Sequence, residues 1–119
     1  MRLAAKLQLM PGSTVAILGI PDSVDLELPE TRSSAAPAGA DAVIAFAIDS
    51  AALGSVAAPA IAAAREDRLA WIAYPKAGKL DTDLNRNVLA RLVQEQGVQP
   101  VRQVAIDDTW SALRLRSAV

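Results

Sequence analysis

Residues 69–74 have the sequence LAWIAY, an apolar run without charge that ends at Pro75. Two similar runs precede it, TVAIL at 14–18 and AVIAFAI at 42–48. All three are continuous, with no alternation between apolar and polar positions, and this pattern indicates strands buried on both faces. Strands of that kind are typical of a parallel sheet between layers of helices. The three runs therefore predict the centre of an α/β fold.

Helical spacing fills the segments between the runs. Apolar residues recur at helical intervals in 50–67 and again in 83–96, and Gly97 suits the residue that follows a helix. Pro59 is expected to kink the first of these helices or to begin a second helical piece. A shorter helix is predicted at 2–9. Strands that alternate with helices through short connections indicate right-handed βαβ crossovers.

The last part of the chain has a different pattern. Residues 101–106 and 110–116 each alternate between apolar and polar positions, and Asp-Asp-Thr at 107–109 separates them. This pattern predicts an antiparallel hairpin at one edge of the sheet. The predicted fold is thus three-layered, with helices on both faces of a mostly parallel sheet of about five or six strands and an antiparallel C-terminal edge hairpin. The hairpin arginines, expected to face water or to discourage edge pairing, are Arg102, Arg114 and Arg116.

The length of 119 residues is that of one domain, and residues 1–119 are predicted to form a single α/β domain. Residues 29–40, PETRSSAAPAGA, lack periodicity and are predicted to form a flexible loop within it. An apolar fraction of 52% with 21% charged residues favours a folded chain. Because aromatic residues make up only 3% and alanine is abundant, the core is lean, which favours a homo-oligomer.

Composition also excludes several classes of function. The net charge of -1 argues against a nucleic-acid-binding domain, which usually has a basic face. The absence of His and Cys excludes His-based triads, thiolate nucleophiles, His/Cys zinc sites and disulfides, and we predict no cofactor and no metal. Neither the first ten residues nor the uncharged run 50–64 suits a signal peptide or a membrane span. We therefore predict a soluble, cytoplasmic protein without a membrane partner.

Ligands of open α/β sheets bind beyond the carboxyl ends of the strands. Three loops of the predicted fold reach that edge, at 19–23, 75–83 and 107–111. A small anionic ligand is the partner that suits their polar side chains. The candidate ligand-binding residues are Asp22, Lys76, Gly78, Lys79, Thr82, Asp83, Thr109, Trp110 and Ser111.

The first two loops each have two interpretations. The first has one glycine, Gly19, and Pro21 lacks an amide donor, so a dinucleotide site is not expected; Asp22 also suits the first turn of a helix. In the second, Lys76 and Lys79 precede a predicted helix whose free amides favour an anion. Alternatively, Asp81 or Thr82 is the N-cap of that helix, Asp83 lies in its first turn, and the lysines are solvated.

The third loop contains two adjacent carboxylates, Asp107 and Asp108. Paired carboxylates act as general acid and base where their environments separate their pKa values, or they bind hard cations. The other interpretation is a turn in which Asp caps backbone amides while Trp110 covers the edge of the core.

Three segments resemble a family of small, uncharacterised bacterial proteins: LGIPDS (18–23), YPKAGKLDTDL (74–84) and AIDDTWSALRLR (105–116). The resemblance covers nearly the whole chain, with Ala77 in the place of a serine. It implies a shortened class I methyltransferase-like Rossmann fold without the glycine-rich turn, so that neither S-adenosylmethionine binding nor methyltransferase activity is expected.

Two functional hypotheses follow. The first is a non-catalytic module that binds a small ligand or a protein at the strand-carboxyl edge and associates with itself. The second is a small enzyme acting on an anionic metabolite, in which Lys76 or Lys79 holds the anion and Asp107 or Asp108 acts as acid or base.

Overall fold

A computed structural model describes residues 3–26, 32–33 and 36–118 of the chain. A single turn of 3-10 helix at Pro37–Gly39 joins the second strand to the third. The helices are α1 (Leu3–Lys6), α2 (Ser50–Arg65) and α3 (Arg86–Gln94). The strands are β1 (Thr14–Leu18), β2 (Arg32–Ser33), β3 (Ala42–Phe46), β4 (Leu69–Pro75), β5 (Val98–Ala105) and β6 (Trp110–Ser117).

The strands form one mixed sheet in the order β2-β1-β3-β4-β6-β5. The antiparallel pairs β4–β6 and β5–β6 match six and seven residues. The parallel pairs β1–β3 and β3–β4 match four and five, and β1–β2 matches only two. Because more residues pair antiparallel than parallel, the prediction of a mostly parallel, Rossmann-like sheet is wrong.

The error has a physical cause in strand β4, the LAWIAY run. From Ala70 to Pro75 this strand is buried, as the continuous apolar sequence predicts, yet β3 runs parallel to it on one side and β6 antiparallel on the other. Strand β6 is itself buried from Trp110 to Leu113, although it belongs to a hairpin. A continuous apolar strand therefore indicates coverage of both faces and does not fix the direction of its neighbours.

The two long helices lie on the same face of the sheet. Side chains alternate along β4, so that Ile72 and Tyr74 join the core under α2 and α3, whereas Trp71 joins the core on the other face. That second face is covered by residues 3–9 and 24–26, which contain only the four-residue helix α1. The prediction of helices on both faces is thus wrong for the long helices. Helix α2 connects β3 to β4 and helix α3 connects β4 to β5, so both crossovers move across the sheet in the same direction. Right-handed crossovers that move in the same direction place their helices on the same face of the sheet.

Helix α2 runs unbroken from Ser50 to Arg65, so Pro59 does not start a second helical piece. Proline removes only the amide that the carbonyl of Ser55 would accept, and Ser55 is exposed to water. The N-cap of α2 is Asp49, whose carboxylate accepts from the amide of Ala52 at 2.8 Å. No helix within the described ranges is both long and apolar enough to cross a bilayer.

Two loop predictions have different outcomes. Residues 29–31, 34 and 35 of the predicted loop 29–40 lie outside the described residues, and the rest contains strand β2 and the 3-10 turn at Pro37–Gly39. The helix whose first turn Asp22 would suit is absent from residues 21–26, where the amide of Val24 closes a single turn on the carbonyl of Pro21 at 3.1 Å.

Glycine is required where β1 ends. Gly19 has φ +70°, and a Cβ there would lie 2.9 Å from the carbonyl oxygen of Phe46 at the end of β3. Gly12 has a similar φ of +82°, but a Cβ at that position would meet nothing within 4 Å. The two glycines therefore share a left-handed backbone and differ only in the space around them.

We expect Gly19→Ala to lower the free energy of unfolding by about 2–4 kcal/mol, since the strain of a positive φ adds to the steric clash. Gly12→Ala, the matched control, loses about 1–2 kcal/mol through backbone strain alone. Urea denaturation of both variants measures the difference. Equal losses would show that the ends of β1 and β3 are not in close contact.

Candidate functional site

Two of the three predicted loops meet at what we call the rim, the edge of the sheet at the carboxyl ends of β1, β3 and β4. Strand β5 runs in the same direction as β4, because both are antiparallel to β6. The hairpin turn therefore reaches the rim, where the amide of Lys76 donates to the carbonyl of Thr109 at 2.7 Å. The structure thus brings the loop after β4 and the hairpin turn into direct contact.

The loop after β4 is a series of tight turns. The amide of Lys79 donates to the carbonyl of Lys76 at 2.9 Å, and the amide of Thr82 donates to the carbonyl of Lys79 at 3.1 Å. Gly78 has φ +81°, and Leu80 and Asp81 both have φ +53°. The side chain of Lys79 is exposed, as is Gly78.

Sequence reasoning assigned the start of α3 wrongly. The N-cap is Asn85, whose side-chain oxygen accepts from the amide of Val88 at 2.9 Å, and neither Asp81 nor Thr82 has that role. The hydroxyl of Thr82 instead accepts from the amide of Leu84 at 3.0 Å. The loop therefore continues one turn further than predicted before the helix begins.

Asp83 does not lie in the first turn of α3 but connects its loop to α2. Its Oδ1 accepts from the amide of Ser50 at 2.8 Å, and its Oδ2 accepts from the Ser50 hydroxyl. The hydrogen bonds from the hydroxyl and the amide of Ser50 hold the pKa of Asp83 below its usual value. Ser50 was not a candidate in the sequence, because its partner is 33 residues away.

The hairpin turn uses one of its two carboxylates internally. Oδ1 of Asp107 accepts from the amides of Thr109 and Trp110, at 2.8 and 2.7 Å. This is the turn-capping arrangement, in which the side chain holds the backbone. Asp108 is exposed.

Trp110 and Ser111 follow the turn into the interior. The Trp110 ring packs edge-on against Phe46, with ring centres 5.3 Å apart and planes at 67°. Ser111 is buried at 3% exposure and pairs with Tyr74 across the strands. Both side chains are therefore buried at the rim, beneath the hairpin turn.

Asp22 occupies an exposed turn beyond the end of β1. Among the hydrogen bonds of the described residues, none joins Asp22 to either of the other two loops. No three acidic side chains in the described ranges lie close enough together to hold a metal ion. The structure thus joins two of the three predicted loops by a hydrogen bond, and among the described residues it shows no such bond from Asp22 to either of them.

A groove of about 420 Å³ lies between α2 and α3. Apolar side chains line its length, among them Leu53, Ile61 and Leu92. Ser50 lies at one end, next to the rim, and Arg65, Glu95 and Gln96 lie at the other. Sequence reasoning missed this groove, although the uncharged run 50–64 was its signal.

Comparison of the sequence with protein-family models gives no match, and no curated protein matches it. The resemblance of segments 18–23, 74–84 and 105–116 to a bacterial family therefore stays a prediction. The function has to be inferred from the side chains themselves.

Removal of the Asp107 carboxylate should destabilise the fold. We expect Asp107→Ala to lower the free energy of unfolding by about 1–3 kcal/mol, because two amide donors lose a charged acceptor. Asp108→Ala removes the same charge from an exposed neighbour and should change stability by no more than about 0.5 kcal/mol. Urea denaturation measures both; equal effects would contradict the capping role.

The Asp83–Ser50 link makes stability depend on pH in the acid range. Because the folded pKa of Asp83 lies below its unfolded value, its contribution is complete at neutral pH and is lost as the pH falls below about 4 and through the folded pKa. Ser50→Ala removes the hydroxyl donor and should raise the pKa of Asp83 towards its usual value. A carboxyl ¹³C NMR titration measures this shift, with Ser55→Ala as control on the same helix. An unchanged pKa in Ser50→Ala would contradict the link.

Proposed function

We propose that this chain is a non-catalytic binding module that pairs with a second copy of itself through the outer face of α2 and the adjoining groove. The observation that carries the proposal is the chemistry of that outer face. No charged residue occurs from Ser50 to Ala64. A surface helix normally directs charged and polar residues towards water.

The exposed positions of α2 form a stripe along one side of the helix. Its members repeat at intervals of three and four residues, the spacing of a helix–helix seam. Most of them are small, so a second helix can approach the backbone closely. The exposed residues of the stripe are Ala51, Gly54, Ser55, Ala58, Ala62 and Arg65.

The stripe is complementary to itself when one copy is reversed. Ala58 lies at its centre, so a two-fold axis there places Ala51 of one copy opposite Arg65 of the other. The ends of α2 carry opposite charges, Asp49 at the N-cap and Arg65, which also donates to the carbonyl of Gln96, at the last residue; Glu66 is paired with Arg68 at 2.7 Å. An antiparallel pair of helices also opposes their dipoles favourably. A surface that fits its own copy in this way supports a symmetric dimer.

The groove provides the apolar area for such a contact. Ile61 on α2 and Leu92 on α3 line the groove and are only partly buried in one copy of the chain. Removal of their remaining apolar surface from water would stabilise the pair by about 25 cal/mol for each Å² covered. The lean, alanine-rich core leaves the isolated domain little stability of its own, so this gain matters.

The enzyme hypothesis receives less support from the rim. It requires a carboxylate that can exchange a proton with a substrate, and Asp107 already accepts two backbone amides. Asp83, a second carboxylate of the two loops that meet, is held by Ser50. Asp107 and Asp83 therefore maintain the loops, and Asp108, the other acid or base candidate, is exposed to water, which favours a binding role over catalysis.

The proposal is tested by the mass of the protein in solution. We expect a species of about twice 12.4 kDa by sedimentation velocity and light scattering, and about 12.4 kDa for Ala58→Arg. Arginine at the centre of the stripe would force two like charges together without support. Asn87→Arg adds the same charge at an exposed position of α3 outside the groove and should leave the dimer intact.

Circular dichroism establishes that both variants fold. A wild-type protein that remains at about 12.4 kDa at high concentration would contradict the proposal. Equal dissociation of both variants would contradict the placement of the interface on α2.

A further inference from the structure

Three arginines share one face of the β5–β6 hairpin, which we call the arginine face. Arg102 and Arg114 are direct partners across the two strands, and Arg116 is two residues further along β6. Alternate residues of a strand share a face, so all three guanidinium groups lie on the side of Trp110 and Ala112. This is the side of the sheet opposite to α2 and α3.

A β-bulge places Arg102 on that face. Pro100 pairs with Leu115, whereas Arg102 pairs with Arg114, and the register shifts between them. In a regular strand, Pro100 and Arg102 would point to the same face, and Arg102 would lie opposite Leu113. The extra residue, Val101, turns Arg102 to the other side. The fold therefore uses an irregularity to bring a third positive charge next to two others.

Among the described residues, no acidic side chain forms an ion pair with any of these three arginines. The described residues contain an ion pair between Arg68 and Glu66, which lies in a different part of the molecule. Arg114 is partly buried; one terminal nitrogen donates to Oε1 of Gln8 at 2.6 Å, and its Nε is shielded from solvent without a partner. Burial, followed by the charges of Arg116 and Arg102, lowers the pKa of Arg114. The like charges are thus held together without compensation from the described side chains.

Protection of the sheet edge explains only part of this arrangement. Charged residues discourage pairing when they lie on an edge strand, and Arg102 is on the edge strand β5. Arg114 and Arg116 are on β6, which has a neighbour on each side. Edge protection therefore accounts for Arg102 and for Arg116, which lies beyond the last pair with β4 at Leu115, but not for Arg114, which is paired on both sides.

We propose that Arg102, Arg114 and Arg116 form a binding site for a phosphate group, either free or carried by a phosphomonoester. Guanidinium groups present planar pairs of N–H donors that match the oxygens of phosphate, and they remain charged at all physiological pH values. A phosphate dianion offers more charge and more acceptors than a single carboxylate, as three clustered cations require. Gln8 fixes the Arg114 guanidinium before a ligand arrives.

This site is independent of the proposed pairing of α2, because the two surfaces lie on opposite faces of the sheet. Loss of phosphate binding would leave the dimer in place. Dissociation of the dimer by Ala58→Arg would likewise leave the arginine face unchanged.

The test is a titration of ¹⁵N-labelled protein with inorganic phosphate and, separately, with glycerol 2-phosphate, using sodium chloride at matched ionic strength as reference. We expect saturable shifts in the amides of 102–105 and 110–116 with phosphate and not with chloride. Arg102→Gln and Arg116→Gln should each weaken binding at least fivefold. Arg91→Gln removes the same charge from an exposed position of α3 and should change the affinity less than twofold.

The two ligands separate the two sources of phosphate. Binding of both indicates that the phosphate group is recognised on a larger molecule, and binding of the inorganic ion alone indicates free phosphate. Shifts no larger than those with chloride would overturn the proposal. An equal loss of affinity in Arg91→Gln would also overturn it, because net charge and not the cluster would then govern binding.

Discussion

The close packing of α2 on the sheet is the contact on which the rest of the structure depends. Alanine occupies both sides of it: Ala57, Ala60 and Ala64 on the helix meet a core that contains Ala45 and Ala70 of the strands. Small side chains let the helix approach the sheet closely, although each one buries little area. The same composition continues around the helix and leaves its outer face without charge. One compositional bias thus shapes both the core and the surface that we assign to self-association.

The sequence was sufficient to locate the strands and not to orient them. The runs at 14–18 and 69–74 are strands within a residue of their predicted limits, because continuous apolar sequence requires burial on both faces. Their neighbours could not be inferred, since β6 inserts antiparallel between β4 and β5 and is buried despite its alternating pattern. The direction and the order of the strands depend on contacts between distant segments, and the local periodicity of the sequence does not indicate those contacts.

In the candidate site too, some features could be predicted from the sequence and others could not. The contact of Lys76 with Thr109 follows from strand direction, and the hairpin turn was correctly expected at the edge where β4 ends. The bond between Ser50 and Asp83 joins segments 33 residues apart, and no local motif indicates it. The turn of Arg102 to the face of Arg114 arises from a bulge of one residue, which alternation alone cannot reveal. Such features depend on register, and register is fixed only when the whole sheet assembles.

The two surfaces assigned here lie back to back, so a dimer through α2 would present two arginine faces outward. The central claim, an antiparallel pairing centred on Ala58, is tested most directly by cross-linking, since the chain contains no cysteine. In Ala58→Cys the two thiols would face each other across the two-fold axis, and mild oxidation should yield a disulfide-linked dimer. Asn87→Cys, exposed on α3, should remain monomeric in denaturing electrophoresis. Equal cross-linking of both variants, or none at position 58, would contradict the account.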